Sequence, residues 1–469
     1  MPETKGTRNW RGPLQMIGRL GWGLADQMVS SLTNFALTIY IARSLHGPSH
    51  AAQFGAFSLA YVTYSFALSA SRGLATEPLM VRFSGTDIRT WRRAVASCTG
   101  TATVVGIAVG IGVLAAAAVL DGPARAAFLA LALTLPGLLL QDSWRYSFFA
   151  LGRGSQAFLN DLIWLVMLIP ALLFLRATGH ANVFWFILAW GAAAAAGAAV
   201  GPLQARVIPN LKGTRGWLST HRDLGPRFLA EGVSTSGSGQ LRSYGVGLIL
   251  GLATVGYVQA AATLMGPVTI LFLGMSLVAI PEAARVLRRS PRHLPLFCMA
   301  VSGGLSVATF GWGVVLLVAV PRGLGALLLG SIWRPTYPLL LPTVIGVVGL
   351  GFSAGAFAGL HALGAARRSL RVAVIGSAAT VTCALSGAAI AGAEGTLYGA
   401  MIPAWLGSLW LWWQLRAAMR ETGNVSAADQ VPPGRPGGRH RAARPIAKGT
   451  PSSVDNQSLQ PSPALNEQP

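Results

Sequence analysis

Four polar residues recur at every fourth position of the first apolar segment: Asp26, Ser30, Asn34 and Thr38. On a helix that spacing draws one polar stripe down a single face. A later segment repeats the device with Glu231, Thr235, Ser238 and Arg242. A third carries Ser58, Tyr61, Ser65, Ser69, Arg72 and Thr76 on one face. Carboxylates and guanidinium groups inside apolar helices bind ions, phosphates or one another, because an unpaired charge in hydrocarbon is expensive. The stripes predict a water-filled cleft, with Asp26, Ser30, Asn34, Arg72, Glu231, Thr235 and Arg242 as its substrate-binding wall. The competing reading is polar contact between packed helices, since Ser, Thr and Asn also bond across helix interfaces. A second group is Asp142, Arg145 and Asp161. Asp142 and Arg145 are three residues apart, within direct pairing reach on a helix. They predict either a structural ion pair or a gate that opens and closes.

Such residues need elements that carry them into a bilayer. The composition supplies these: 52% of residues are hydrophobic and only 11% charged, and mean hydropathy is +0.53. Soluble domains carry roughly 25% charged residues. About 20 apolar residues span the hydrocarbon as a helix. The chain divides into twelve such segments, at 22–42, 54–80, 94–119, 124–150, 156–176, 182–208, 226–250, 255–282, 296–320, 335–364, 369–392 and 395–418. A spanning barrel would instead show short alternating segments. Of the 36 Lys and Arg residues, 29 fall in alternate loops on one side. That is the positive-inside pattern of a multi-pass inner (cytoplasmic) membrane protein with both termini cytoplasmic. The net charge of +21 therefore speaks for topology and not for nucleic acid. Residues 1–21 are polar and basic without the apolar core of a cleavable signal, so the first helix is expected to be retained. Residues 419–469, rich in Pro, Gly, Ser and Arg, read as a disordered cytoplasmic tail.

The seventh and eighth segments echo the first two. Leu24-Ala25-Asp26 matches Leu229-Ala230-Glu231, Phe54-Gly55-Ala56-Phe57 matches Val255-Gly256-Tyr257-Val258, and Ala75-Thr76-Glu77-Pro78 matches Ala279-Ile280-Pro281-Glu282. The offsets run from 201 to 205 residues. The expected fold is all-α, with about twelve transmembrane helices in two six-helix halves, 22–208 and 226–418, joined by a linker at 209–225. An even helix number per half implies a pseudo-two-fold axis along the membrane normal, a plan that places substrates between the halves.

Cys98, Cys298 and Cys383 have no metal or redox spacing and read as packing residues. His361 reads as a packing or interface residue, Arg334 as a snorkelling one. Gly351, Gly355 and Gly359 would let helices approach closely, and Pro170, Pro267 and Pro342 would kink theirs. No Walker loop, zinc-ligand cluster or nucleophile arrangement is present, and no cofactor or metal is expected.

Gly23-Leu24-Ala25-Asp26-Gln27, Phe54-Gly55-Ala56-Phe57-Ser58 and Leu328-Leu329-Gly330 with Trp333 resemble the polysaccharide flippases of the multidrug/oligosaccharidyl-lipid/polysaccharide exporter superfamily. The resemblance covers about residues 15–418. It implies two six-helix halves around a V-shaped cavity with alternating access, and movement of polyprenyl-pyrophosphate-linked oligosaccharide for cell-envelope polysaccharide. It also implies cationic cavity residues for the pyrophosphate, with Arg72, Arg242 and Arg145 as candidates. Asp26 and Glu231 would position them or bind a coupling cation. Membrane lipids and envelope glycosyltransferases or a polymerase would be the partners. The alternatives are a cation-coupled multidrug exporter of the same superfamily and a membrane-embedded glycan polymerase or ligase. The latter needs an external catalytic loop, and the chain's loops are short.

Overall fold

The computed structural model describes residues 11–45, 49–319 and 323–428. Among these there are helices and no strand. The first half comprises α1 (Arg11–Ser44), α2 (His50–Ser71), a π-helical turn (Arg72–Thr76), α3 (Glu77–Phe83), α4 (Ile88–Val119), α5 (Gly122–Ala150), α6 (Gly154–Ala177) and α7 (Val183–Ala205). A short α8 (Thr214–Thr220) lies in the linker. The second half comprises α9 (Gly225–Leu250), α10 (Leu252–Leu264), α11 (Gly266–Arg289), α12 (Leu294–Val314), α13 (Leu324–Leu329), α14 (Trp333–Ala362) and α15 (Ala366–Ala428).

Each of the twelve expected segments falls on helix. The expected eighth is broken: α10 and α11 meet at a 55° bend, just before Pro267 in the first turn of α11. The eleventh and twelfth run on as α15, which kinks at Ala391 and Gly392. Gly392 has φ +62°, a conformation that costs an L side chain roughly 1–2 kcal/mol. By length and composition seven described helices can cross a membrane, or eight with the bent pair. Helices α1, α2 and α9 fall outside that set; they carry the polar stripes, which lower their hydropathy. Two boundaries differ from expectation. Helix α1 begins at Arg11, not 22, and α15 continues to Ala428; the rest of the expected tail lies outside the described residues.

The halves meet along α2. A β-carbon on Gly55 would run into the Leu252 carbonyl at the start of α10, and one on Gly256 would stand 3.0 Å from the Gly55 nitrogen. Gly55 and Gly256 are 201 residues apart, one repeat offset. Repeat-related residues touch only near the axis that relates them, so the axis passes beside this crossing. Midway along α2, Thr63 Oγ1 and Tyr244 Oη of α9 share a hydrogen bond of 2.5 Å. Towards the end bearing Arg82, Arg89 and Arg93, called the basic end here, a β-carbon on Gly73 would stand 2.7 Å from the Leu229 nitrogen. At the opposite end the His50 ring lies 2.7 Å from the Ala42 carbonyl and 2.6 Å from Ser331 Oγ. In the second half Gly355 packs α14 on the Cys298 carbonyl of α12, with Gly351 and Gly359 one turn either side. The three glycines thus act as expected. Cys98 and Cys298 are buried and Cys383 half-buried, all as free thiols.

The linker does not hang free. The Asn210 amide bonds the Ala96 carbonyl at 2.7 Å. Trp217 is 5% exposed and donates its indole N–H to the Leu74 carbonyl at 3.1 Å. Arg82 donates to Thr220 O at 2.9 Å and to Asp223 Oδ2 at 2.7 Å. His221 stacks on Trp217, with ring centroids 4.1 Å apart.

Valine in place of Gly55 should wedge the halves apart. Overpacking of this kind costs about 1–3 kcal/mol, and a thermal scan of the purified protein in detergent should show it; an unchanged midpoint would mean the crossing is loose. A second outcome concerns pH. Burial holds the His221 imidazole below its ordinary value of 6.5, with the Arg82 charge acting the same way against the Trp217 carbonyl. The docked linker therefore favours the neutral ring. Above pH 6.5 both docked and free states are neutral and nothing is lost. Below it the free linker binds the proton better, so docking weakens. Hydrogen exchange across 211–224, corrected for intrinsic rate, should accelerate in acid, and less so in His221→Phe.

Candidate functional site

The first half is built around five charges. Arg145 on α5 is buried among three aspartates: Nη2 lies 2.5 Å from Asp26 Oδ2 of α1, Nε 3.0 Å from Asp161 Oδ1 of α6, and Nη1 3.4 Å from Asp142 Oδ1 one turn back. The Nε contact is one of charge alone, without hydrogen-bond alignment. Asp142 is in turn gripped by Arg72, which opens the π-turn. Nε donates to Oδ2 at 2.9 Å and Nη2 to Oδ1 at 2.7 Å, the two-pronged geometry that guanidinium makes with carboxylate. The Arg72 guanidinium also sits 4.9 Å over the Tyr146 ring. Beyond Asp161 the network continues through amides. Gln141 Nε2 donates to Asp161 Oδ1 at 2.7 Å. Asn160 Nδ2 donates to the Gly197 carbonyl and to Gln204 Oε1, both at 2.9 Å. Gly197 makes room: a β-carbon there would press on Gln141 and Asn160 at 3.3 and 3.4 Å.

Low dielectric explains the arrangement. An isolated buried charge costs several kcal/mol even after relaxation, and only close counter-charges with further hydrogen bonds repay it. Three carboxylates and two guanidinium groups, if all ionised, leave one negative charge in surplus. Asp26 Oδ1 and Asp161 Oδ2 are the network's buried carboxylate oxygens without a hydrogen-bond partner. Either can take a proton or a small cation. Among the described residues no cluster of His, Cys, Asp and Glu is arranged for a metal ion; Arg145 fills the space between the aspartates.

The structure redraws the expected grouping. Asp26 and Arg72, expected on a cleft wall, join Asp142, Arg145 and Asp161 in one network. Asp26 is 1% exposed, because its counter-charge lies inside its own half. The α1 stripe follows it inward and satisfies itself locally: Asn34 Nδ2 bonds the Ser30 carbonyl at 2.9 Å, and Thr38 Oγ1 the Asn34 carbonyl at 2.8 Å. Such back-bonding meets the polar groups without water. The α2 stripe does the same at Ser58 and Ser65. The expected pairing of Asp142 with Arg145 is present, though Asp26 holds Arg145 at shorter range. Arg242 lies in the middle of α9, half-buried, and its Nε is buried without a partner. The side chains of Glu231 and Thr235 lie outside those described. His361 stacks on Phe357 at 4.1 Å and bonds its carbonyl, as a packing residue does. Gln141, Asn160 and Tyr146 were not anticipated. The doublets Gln141-Asp142 and Asn160-Asp161 were the available signal.

The helical fold is shared with solved transporters of the MOP superfamily, the superfamily that the sequence resemblance implied. An inward-facing multidrug resistance MATE family transporter of that superfamily superposes with a TM-score of 0.66 at 14% identity, covering 84% of this chain and 96% of the other. The lipid II flippase MurJ, in an inward closed conformation, gives 0.60 at 12% identity, covering 87% and 91%. An outward-facing MATE transporter gives 0.53 at 16% identity, covering 89% and 99%. No family model and no curated protein sequence matches the chain.

Replacing Arg145 by Met strands Asp26 and Asp161 in the core, while Asp142 keeps Arg72. Breaking a buried pair typically costs about 3–5 kcal/mol, so Arg145→Met should be recovered poorly or melt far below the parent. Adding Asp26→Asn and Asp161→Asn should restore most of the loss. A single variant with parental melting would show that the network is not neutralising these carboxylates.

Proposed function

We propose that the chain is a flippase moving polyprenyl-pyrophosphate-linked oligosaccharide across the cytoplasmic membrane by alternating access, for cell-envelope polysaccharide. The observation that carries this reading is Arg242. Of the three candidate arginines, Arg72 and Arg145 are engaged by aspartates. Arg242 has no acid partner among the described residues, and its Nε is desolvated and unbonded. A guanidinium in that state is a phosphate site awaiting its anion. Arg72 can assist, since Nη1 stands outside its pair with Asp142 and its side chain is 30% exposed. The head group would enter from the cytoplasmic, basic end while the polyprenyl tail stays in lipid. The higher score against the inward-facing transporter than the outward-facing one supports that entry side. The likeness to a lipid II flippase supports the substrate class.

The surplus carboxylate supplies the coupling. One proton or monovalent cation at Asp26 or Asp161 would neutralise the network, so an ion gradient rather than ATP would drive the cycle. Cytoplasmic glycosyltransferases would supply the substrate, and both termini would be cytoplasmic. The same surplus favours a second reading, a cation-coupled exporter of cationic drugs.

Arg242→Ala should reduce flipping of a polyprenyl-pyrophosphate glycan in reconstituted vesicles by at least about tenfold, the equivalent of one charge-assisted contact, with Arg242→Lys intermediate. Undiminished flipping in Arg242→Ala would sink the site. A drug-susceptibility panel on a deletion strain separates the second reading: sensitisation to cationic drugs with normal surface glycan would favour the exporter.

A further inference from the structure

The π-helical turn Arg72–Thr76 has no role yet. It inserts one extra residue into an otherwise continuous helix, and the Glu77 N–H reaches back five residues to the Arg72 carbonyl. Such insertions free carbonyls from the regular ladder and tend to mark functional positions. Here two carbonyls are captured from outside. Leu74 O accepts from the Trp217 indole at 3.1 Å. Ala75 O accepts from the Cys98 thiol at 3.4 Å. Gly73 is pressed against the backbone of Phe228 and Leu229, where α9 enters the second half. The residue that opens the turn is Arg72, the guanidinium that grips Asp142. One helical turn therefore touches the ion network, the linker and the first helix of the other half.

We propose that Trp217 is a positioning residue, holding the π-turn wound through the Leu74 carbonyl and thereby holding Arg72 on Asp142. The geometry gives the consequence of release. Absorbing the extra residue into regular helix turns one flank by about 100° relative to the other. Downstream, Arg82 is tied to Thr220 and Asp223 of the linker. Upstream, Arg72 is tied to Asp142. Both ties survive only while the extra residue stays in place. Undocking the linker removes the downstream tie together with the indole donor, and Arg72 is then the group free to leave. The linker joining the two halves thus acts as a register lock on the network, and movement between the halves is felt at Asp142. This inference rests on the network's geometry and needs no assumption about what is transported.

The test uses the purified full-length protein in nanodiscs and a guanidine-reactive dicarbonyl, with labelling mapped by peptide mass spectrometry. Trp217→Phe keeps the ring stacked on Phe83 and His221 and removes only the N–H. It should raise labelling of Arg72 at least fivefold and speed hydrogen exchange across 70–83, while Arg145 stays as protected as in the parent. Arg82→Gln, a change at an exposed side chain, should produce the same pattern more weakly. Unchanged labelling of Arg72 in Trp217→Phe overturns the proposal. So does a parallel rise at Arg145, which would mean that the indole merely holds the bundle together. Neither outcome bears on Arg242, whose test is transport.

Discussion

Three carboxylates cannot be buried together in a membrane protein's interior without counter-charge. That constraint organises the first half. Among the described residues Arg145 is the one cation that reaches all three of Asp26, Asp142 and Asp161, so the helices bearing them, α1, α5 and α6, must converge on one point. Arg72 brings in α2, and the amides of Gln141 and Asn160 extend the same contact to α7. In lipid the hydrophobic effect does not sort one apolar helix face from another. Charge pairing does, because each wrong arrangement leaves a buried ion uncompensated.

The second half reaches a similar fold by other means. Its helices approach through glycine, with Gly355 against the Cys298 carbonyl and Gly359 against Cys298 and Leu415 side chains. Indole donors then tie the seams: Trp312 to Leu264 O at 2.9 Å, Trp405 to Ile345 O at 3.0 Å and Trp412 to Phe352 O at 2.8 Å. These bonds are neutral and unchanged by ion binding. The two halves are therefore alike in path and unlike in what can perturb them. The surplus carboxylate lies in the first half, whereas Arg242 in the second has no acid partner among the described residues.

Much of this was legible in the sequence. Segment lengths gave the helices, because hydrocarbon thickness fixes them. The repeat offset linking Gly55 to Gly256 gave the two-half plan, and those two glycines turn out to touch. Pro267 marked the break between α10 and α11. The stripes of α1 and α2 were also visible, but not the direction they face. Asp26 could have looked into a cleft or into its own half, and spacing along one helix cannot choose between them. The choice was made by Arg145, which lies 119 residues away. The π-turn left no mark in the pattern, since Arg-Gly-Leu-Ala-Thr is as compatible with regular helix. The linker's docking was hidden for a similar reason: nothing in the spacing of Trp217 and His221 points to the Leu74 carbonyl that accepts from the indole.

That docking changes how far the halves can separate. Seventeen unanchored linker residues, 209–225, would reach about 55 Å when extended. With Trp217 and His221 seated on the first half, only the residues from Arg222 to Gly225 remain as tether, a reach of roughly 13 Å. The covalent connection is then a leash with almost no slack, attached at the basic end. Any large excursion of the second half must take place at the far end of the molecule, or else pull the leash from its seat.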